Sequence, residues 1–198
     1  MTLSVHVAGL SIVRGERRLF ADVSFTARAG EWVELRGANG SGKTSLLRAI
    51  AGFARSTAGR IEISGMEEPA LALHYLGHLN GLKGGASPHE HVRYWAGLFG
   101  SIAHMDHVLD AVGLTRQADL PARVLSQGQA RRLALARLLV APRPVWLLDE
   151  PAAALDAQGR AMLCGLIERH CAQGGVAIVA LHEPLTLTAA HTLTLGAA

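Results

Sequence analysis

The chain has 198 residues, a formal net charge of +3, 49% hydrophobic and 18% charged residues. That is one domain, long enough to bury a real core, and its ordinary balance excludes a disordered or fibrous protein. Aromatic residues make up 5% and do not interleave with basic runs, so nothing supports nucleic acid binding.

In chain order, Leu3, Val5 and Val7 alternate, as do Val23, Phe25 and Ala27. This predicts short strands over residues 1–30, with Arg17-Arg18 and Ala29-Gly30 in turns. No charged segment followed by an apolar run marks a signal peptide. Trp32–Arg36 reads as a strand and leads into Gly37-Ala38-Asn39-Gly40-Ser41-Gly42-Lys43-Thr44. Ser45–Ala51, apolar at helical spacing, follows and stops at Gly52. Strand, glycine-rich loop and helix give G-x-x-x-x-G-K-T the context of a phosphate-binding loop. Glycines let successive N–H groups face an anion, and the helix N-terminus adds its own. Lys43 would reach the β- and γ-phosphates, and the Thr44 hydroxyl would sit on Mg²⁺. The chain has two lysines, Lys43 and Lys83, against seventeen arginines. A compact ammonium fits a phosphate nest where a planar guanidinium does not.

Arg60–Ser64 and Leu71–Leu76 read as further strands. Residues 77–86 hold four glycines and predict a mobile loop. Ser87 as N-cap, Pro88 at the first helical position and Glu90 closing a capping box start a helix that runs to Phe99 and stops at Gly100. A second helix is expected over Ile102–Val112, and a helical lobe over about 85–140 is expected within one domain spanning 1–198. Ser126 and Gln129 again have capping-box spacing, ahead of a helix at Ala130–Val140. Gly128 there lets backbone approach closely, so this helix start is also a candidate phosphate clamp. Val145–Leu148 is an apolar strand ending in Asp149 and Glu150. At the carboxyl end of a nucleotide-binding sheet, Asp149 is placed for the Mg²⁺ shell and Glu150 to polarise a water. A helix is expected over 157–172, with Cys164 and Cys171 on it as small apolar residues. Val176–Leu181 reads as a strand, too short to cross a bilayer. These features predict a cytosolic protein that borrows any membrane span from another chain.

Leu125-Ser126-Gln127-Gly128-Gln129 resembles the LSGGQ signature of ATP-binding cassette (ABC) proteins. Ala154-Leu155-Asp156 resembles their D-loop, and His182 their switch histidine. The resemblance implies an α/β fold: a P-loop NTPase with a RecA-like core, an antiparallel β-lobe and an inserted helical lobe. It also implies ATP and Mg²⁺ as ligands, Glu150 and His182 as catalytic residues, and a head-to-tail homodimer. In that dimer Ser126, Gly128 and Gln129 cap the γ-phosphate bound by the other copy. The chain departs from the cassette pattern twice. Arg14 stands where an aromatic usually stacks on adenine; a guanidinium can also stack. The loop between the lobes lacks its glutamine, leaving His78 or Asn80 in that place.

Gly77-His78-x-x-Gly81-Leu82-Lys83, the small size, and the stretches Leu19-Phe20, Leu46–Arg48, Leu135–Leu139 and Trp146–Asp149 resemble the haem-exporter ATP-binding subunits of bacterial cytochrome c maturation. This implies a peripheral protein on the cytoplasmic face of the inner membrane. It implies integral membrane subunits as partners, which would handle the haem. No C-x-x-C-H site for haem attachment is present, and the histidines, among them His104 with His107 and His89 with His91, read as ordinary surface or core residues. The alternatives are a cassette for another substrate, a soluble ABC ATPase of DNA repair or translation, and a non-hydrolysing switch, against which Glu150 argues.

Overall fold

Alternating apolar side chains make β1 (Ser4–Arg14) and β2 (Arg17–Arg28) strands with one buried face. In the computed structural model, which describes residues 2–68, 73–101 and 105–196, they form a hairpin, Arg14 opposite Arg17. The turn is therefore Gly15-Glu16. Arg17 and Arg18, expected in a turn, belong to β2, because Gly15 supplies the left-handed residue (φ 61°) that a two-residue turn demands. The strands are also longer than the short ones expected. With β4 (Ala58–Ser64) they make an antiparallel sheet of order β2-β1-β4.

β3 (Trp32–Arg36), β5 (Leu73–Leu76), β6 (Val145–Asp149), β7 (Val176–Ala180) and β8 (His191–Thr194) make a parallel sheet of order β5-β6-β7-β3-β8. All five residues of β6 and of β7 are buried, as in a parallel sheet covered on both faces. The expected strand began at Leu71; Leu71 and Ala72 lie outside the described residues. β8 was not expected at all. Its pattern is mostly exposed, and only its parallel pairing with β3 makes it a strand.

Contacts divide the chain into two units. The first comprises Met1–Gly77, Arg143–Glu150 and Leu166–Ala198 and holds both sheets. Helix α1 (Lys43–Ile50) buries Leu46 and Leu47 against Leu35, Leu147 and Ile178 of the parallel sheet and Val5, Val7 and Leu10 of β1. The second unit comprises His78–Pro142 and Pro151–Gly165. It holds α2 (Pro88–Phe99), α3 (Met105–Ala111) and α4 (Gln127–Val140) around Val92, Trp95, Leu109, Leu133 and Ala136. Helix α5 (Ala157–Ala172) begins in the second unit and finishes in the first.

The capping boxes form as their spacing predicts: Ser87 Oγ accepts from the Glu90 N–H and Glu90 Oε2 from the Ser87 N–H. α4 starts earlier than expected, at Gln127, because Ser126 is its N-cap. The expected helix from Ile102 is described only from Met105; Ile102, Ala103 and His104 lie outside the described residues. The glycine-rich stretch after Gly77 is not a loose tether. Lys83 N–H donates to His91 Nε2 (2.9 Å), and Arg123 and Ala122 N–H donate to Gly84 and Ala86 carbonyls. His91 Nδ1–H in turn donates to the Ser87 carbonyl (2.8 Å), so both of its ring nitrogens are engaged.

Candidate functional site

Adjacent strands β6, β7 and β3 run parallel, so their carboxyl ends come out together. β3 continues into residues 37–44, β6 into Asp149 and Glu150, and β7 into His182. The loop curls through Gly37 (φ 142°), Gly40 (φ 78°) and Gly42 (φ 100°). Glycine is required at two of these for space as well as for φ. A Cβ on Gly37 would come 2.3 Å from the Leu195 carbonyl oxygen, and one on Gly42 would come 2.7 Å from Phe20 Cδ1. Ala38, Asn39 and Gly40 are exposed, whereas Ser41 is 4% exposed with its Oγ unpartnered.

Lys43 is the N-terminal residue of α1 and is 7% exposed. Its Nζ donates to the Gly37 carbonyl at 2.7 Å and lies 3.9 Å from Glu150 Oε1. Thr44 Oγ1 lies 3.1 and 2.9 Å from the two oxygens of Asp149, which is 2% exposed. A hydroxyl beside a carboxylate is an oxygen-only pair suited to Mg²⁺, which keeps several waters and takes its other ligands from phosphate. Among the described residues no group of three or more His, Cys, Asp or Glu could cage a metal. The pair therefore fits an ion shared with a phosphate ligand.

Glu150 has a left-handed backbone (φ 50°), its N–H donating to the Ala180 carbonyl. Its Oε2 accepts from the His182 N–H at 2.9 Å. Main chain, rather than imidazole, thus joins His182 to Glu150, and the His182 residue is exposed. Arg14 is exposed at the end of β1.

The other candidates belong to the second unit. Ser126 Oγ accepts from the Gln129 N–H (3.2 Å) and Gln129 Oε1 from the Ser126 N–H (2.9 Å). A Cβ on Gly128 would lie 2.8 Å from the Ala154 carbonyl oxygen. These residues, with Arg132, Ala154 and Asp156, line an open cavity of about 500 Å³. Asp156 Oδ1 accepts from the Gly159 N–H and from Arg132 Nη2 at 2.6 Å, and the two bonds hold its carboxyl below the usual carboxylate range. Arg132 was missed from sequence; its only signal was a basic residue one turn into a helix whose start was already marked. Asn80 Oδ1 accepts from Arg131 Nη1 (3.1 Å) and its carbonyl from Arg137 Nη2 (2.9 Å), whereas His78 is exposed.

A family model described as ABC transporter matches residues 20–153. The chain belongs to the ABC transporter family. Within it, the chain is 48% identical over 179 residues to the cytochrome c biogenesis ATP-binding export protein CcmA of Hyphomonas neptunium, covering 90% of each chain. It is 46% identical over 194 residues to the protein of the same name from Rhodopseudomonas palustris strain HaA2, covering 96% of each. The one from Agrobacterium fabrum is 42% identical over 201 residues, 96% of this chain and 94% of that one. These place the chain in the CcmA branch of the ABC ATPases, and ATP binding and hydrolysis come with that membership. The ABC fold is likewise shown by an ABC transporter ATP-binding protein from Pyrococcus furiosus, with a TM-score of 0.84 at 23% identity over 97% of each chain. A bacterial Atm1-family ABC exporter with ATP bound superposes with a TM-score of 0.78 at 23% identity, over 92% of this chain and 35% of that one. Among the described residues no helix is long and apolar enough to cross a membrane.

Proposed function

We propose that the chain is the ATP-hydrolysing subunit of an export complex that serves haem delivery in c-type cytochrome biogenesis. The observation that carries this reading is near-full-length identity of 42–48% to export proteins named for that process. The backbone amides of residues 38–44 and the Lys43 ammonium hold the nucleotide phosphates, with Lys43 exchanging the Gly37 carbonyl for phosphate oxygen. Thr44 and Asp149 hold Mg²⁺, which supplies charge neutralisation at the phosphate oxygens. Glu150, steadied by the His182 N–H, orients and deprotonates the attacking water. Arg14 faces the adenine. Ser126, Gly128 and Gln129 of a second copy close over the γ-phosphate in an ATP-dependent head-to-tail dimer. Asn80 is committed to Arg131, which favours His78 in the place of the absent loop glutamine.

The chain works on the cytoplasmic face of the inner membrane, docked on integral membrane subunits that handle the haem. The loop from Gly77 to Gly85 is the surface offered to them. The test is a strain carrying Lys43→Ala with no second gene copy. It should lack covalently bound haem on a haem-stained gel while b-type haem spectra stay normal. Normal c-type cytochromes in that strain would overturn the haem-export reading.

A further inference from the structure

The tip of the β1–β2 hairpin carries an uncompensated cationic pair. Arg14 and Arg17 face each other across the hairpin. Like charges directly opposite in an antiparallel pair destabilise the sheet. Both residues are exposed, and neither guanidinium makes a hydrogen bond or ion pair among the described residues. Arg17 Nη2 nevertheless lies beside the phosphate loop: a Cβ built on Gly40 would be 3.9 Å from it. This position is not left to chance. Phe20 and Leu19, on the same strand, lie against Gly42, with 2.7 and 3.2 Å from its would-be Cβ to their nearest atoms. Phe20 is 3% exposed in the core. The strand that bears Arg17 is thus packed against the loop at Gly42, which brings the Arg17 guanidinium beside Gly40. A guanidinium with no partner among the described residues, next to the exposed residues 38–40 and against a like charge, is arranged for an anion.

We propose that Arg17 is a further nucleotide-positioning residue, placing its guanidinium on the phosphate chain of the nucleotide from the outer side of the loop. The proposal rests on the reading of residues 37–44 as an ATP site. It gives Arg17 the phosphates and leaves the base to Arg14. Arginine suits the position, since its planar fork meets two phosphate oxygens at once from an exposed strand.

The experiment is calorimetric titration of the full chain with Mg-ATP and Mg-ADP at low and at moderate NaCl. Arg17→Gln is expected to weaken both nucleotides by about five- to tenfold. Its affinity should also fall less steeply with salt than that of the parent, because one exposed charge pair is gone. Arg17→Lys, which keeps the charge but loses the fork, should fall between the parent and Arg17→Gln. Arg60→Gln, which removes the same charge from exposed β4, should change nothing. Since Arg17 is exposed, unbonded and opposite a like charge, Arg17→Gln should melt with or slightly above the parent, and Arg17→Ala serves as a second neutral variant. A parent that binds ATP beside an Arg17→Gln and an Arg17→Ala that bind it as tightly overturns this proposal alone. So does a loss of affinity with an unchanged salt dependence. A parent that binds no ATP overturns the nucleotide reading, and the proposal with it.

Discussion

Glu150 holds a backbone conformation that costs a non-glycine residue about 1–3 kcal/mol, and the bond from the His182 N–H secures the side chain that conformation aims. Glu150→Gln keeps an oxygen to accept that bond but loses the base. It is expected to bind ATP and to hydrolyse it about 10²- to 10⁴-fold more slowly; single-turnover hydrolysis by the assembled complex is the measurement, and undiminished turnover removes Glu150 from the role. Lys43→Ala should instead lose affinity together with turnover. The pair His78 and Asn80 separates by a different readout. Asn80→Ala leaves a guanidinium of buried Arg131 short of a partner and should lower the melting temperature. His78→Ala, at an exposed position, should leave melting unchanged and slow hydrolysis. A slowed Asn80→Ala of full stability, beside an active His78→Ala, would reverse the assignment.

Elements whose signals are local were legible in the sequence. Ser87-Pro88-x-Glu90 and Ser126…Gln129 cap their helices as spaced, because a capping box closes within four residues. Elements that depend on distant partners were not. β8 is polar and mostly exposed, and no local pattern reveals that Val33–Arg36 will pair with it. The site shows the same divide. The phosphate loop, Asp149 and Glu150 announce themselves by motif, whereas the approach of Arg17 to Gly40 needs the hairpin register. Helix α5 gives a further case. Its His170 ring stacks on Trp146 of β6 (centroids 3.9 Å apart, 10° between planes) and its Nε2–H donates to the Val176 carbonyl. A Cβ on Gly175 would strike that ring at 2.3 Å, so Gly175→Ala should cost about 1–3 kcal/mol, read by urea unfolding. Burial pushes the His170 pKa down. The unfolded chain therefore takes up the proton first as pH falls. The stabilisation is fully present above the unfolded value, about 6.5, and is lost as pH falls through the lower folded value. Urea midpoints should drop across that window in the parent and drop less in His170→Phe.

At the scale of the molecule, the chain is expected to be monomeric without nucleotide and to dimerise with ATP, most visibly as Glu150→Gln. Gly128→Asp would block this by repelling the opposing γ-phosphate, but its Cβ also meets the Ala154 carbonyl oxygen. Gln127→Glu is the cleaner probe. It places a carboxylate at the exposed first residue of α4, where the helix dipole favours it, so the fold should not suffer. Light scattering should then show ATP-dependent dimers for the parent and none for Gln127→Glu; equal dimerisation would sink the head-to-tail arrangement. The pairing of β3 has a consequence for how such a subunit is made. Trp32 pairs with Ala177, Val33 pairs with His191, and the wall beside Gly37 is the carbonyl of Leu195. On the ribosome, β1, β2 and β4 can zip together early, while the strand that leads into the loop waits for partners translated much later. Cellular ATP therefore has no finished pocket to act on before β8 and Leu195 are available. It meets a finished pocket only after Leu195 has emerged, and so acts on a strand already paired rather than as the seed of its folding.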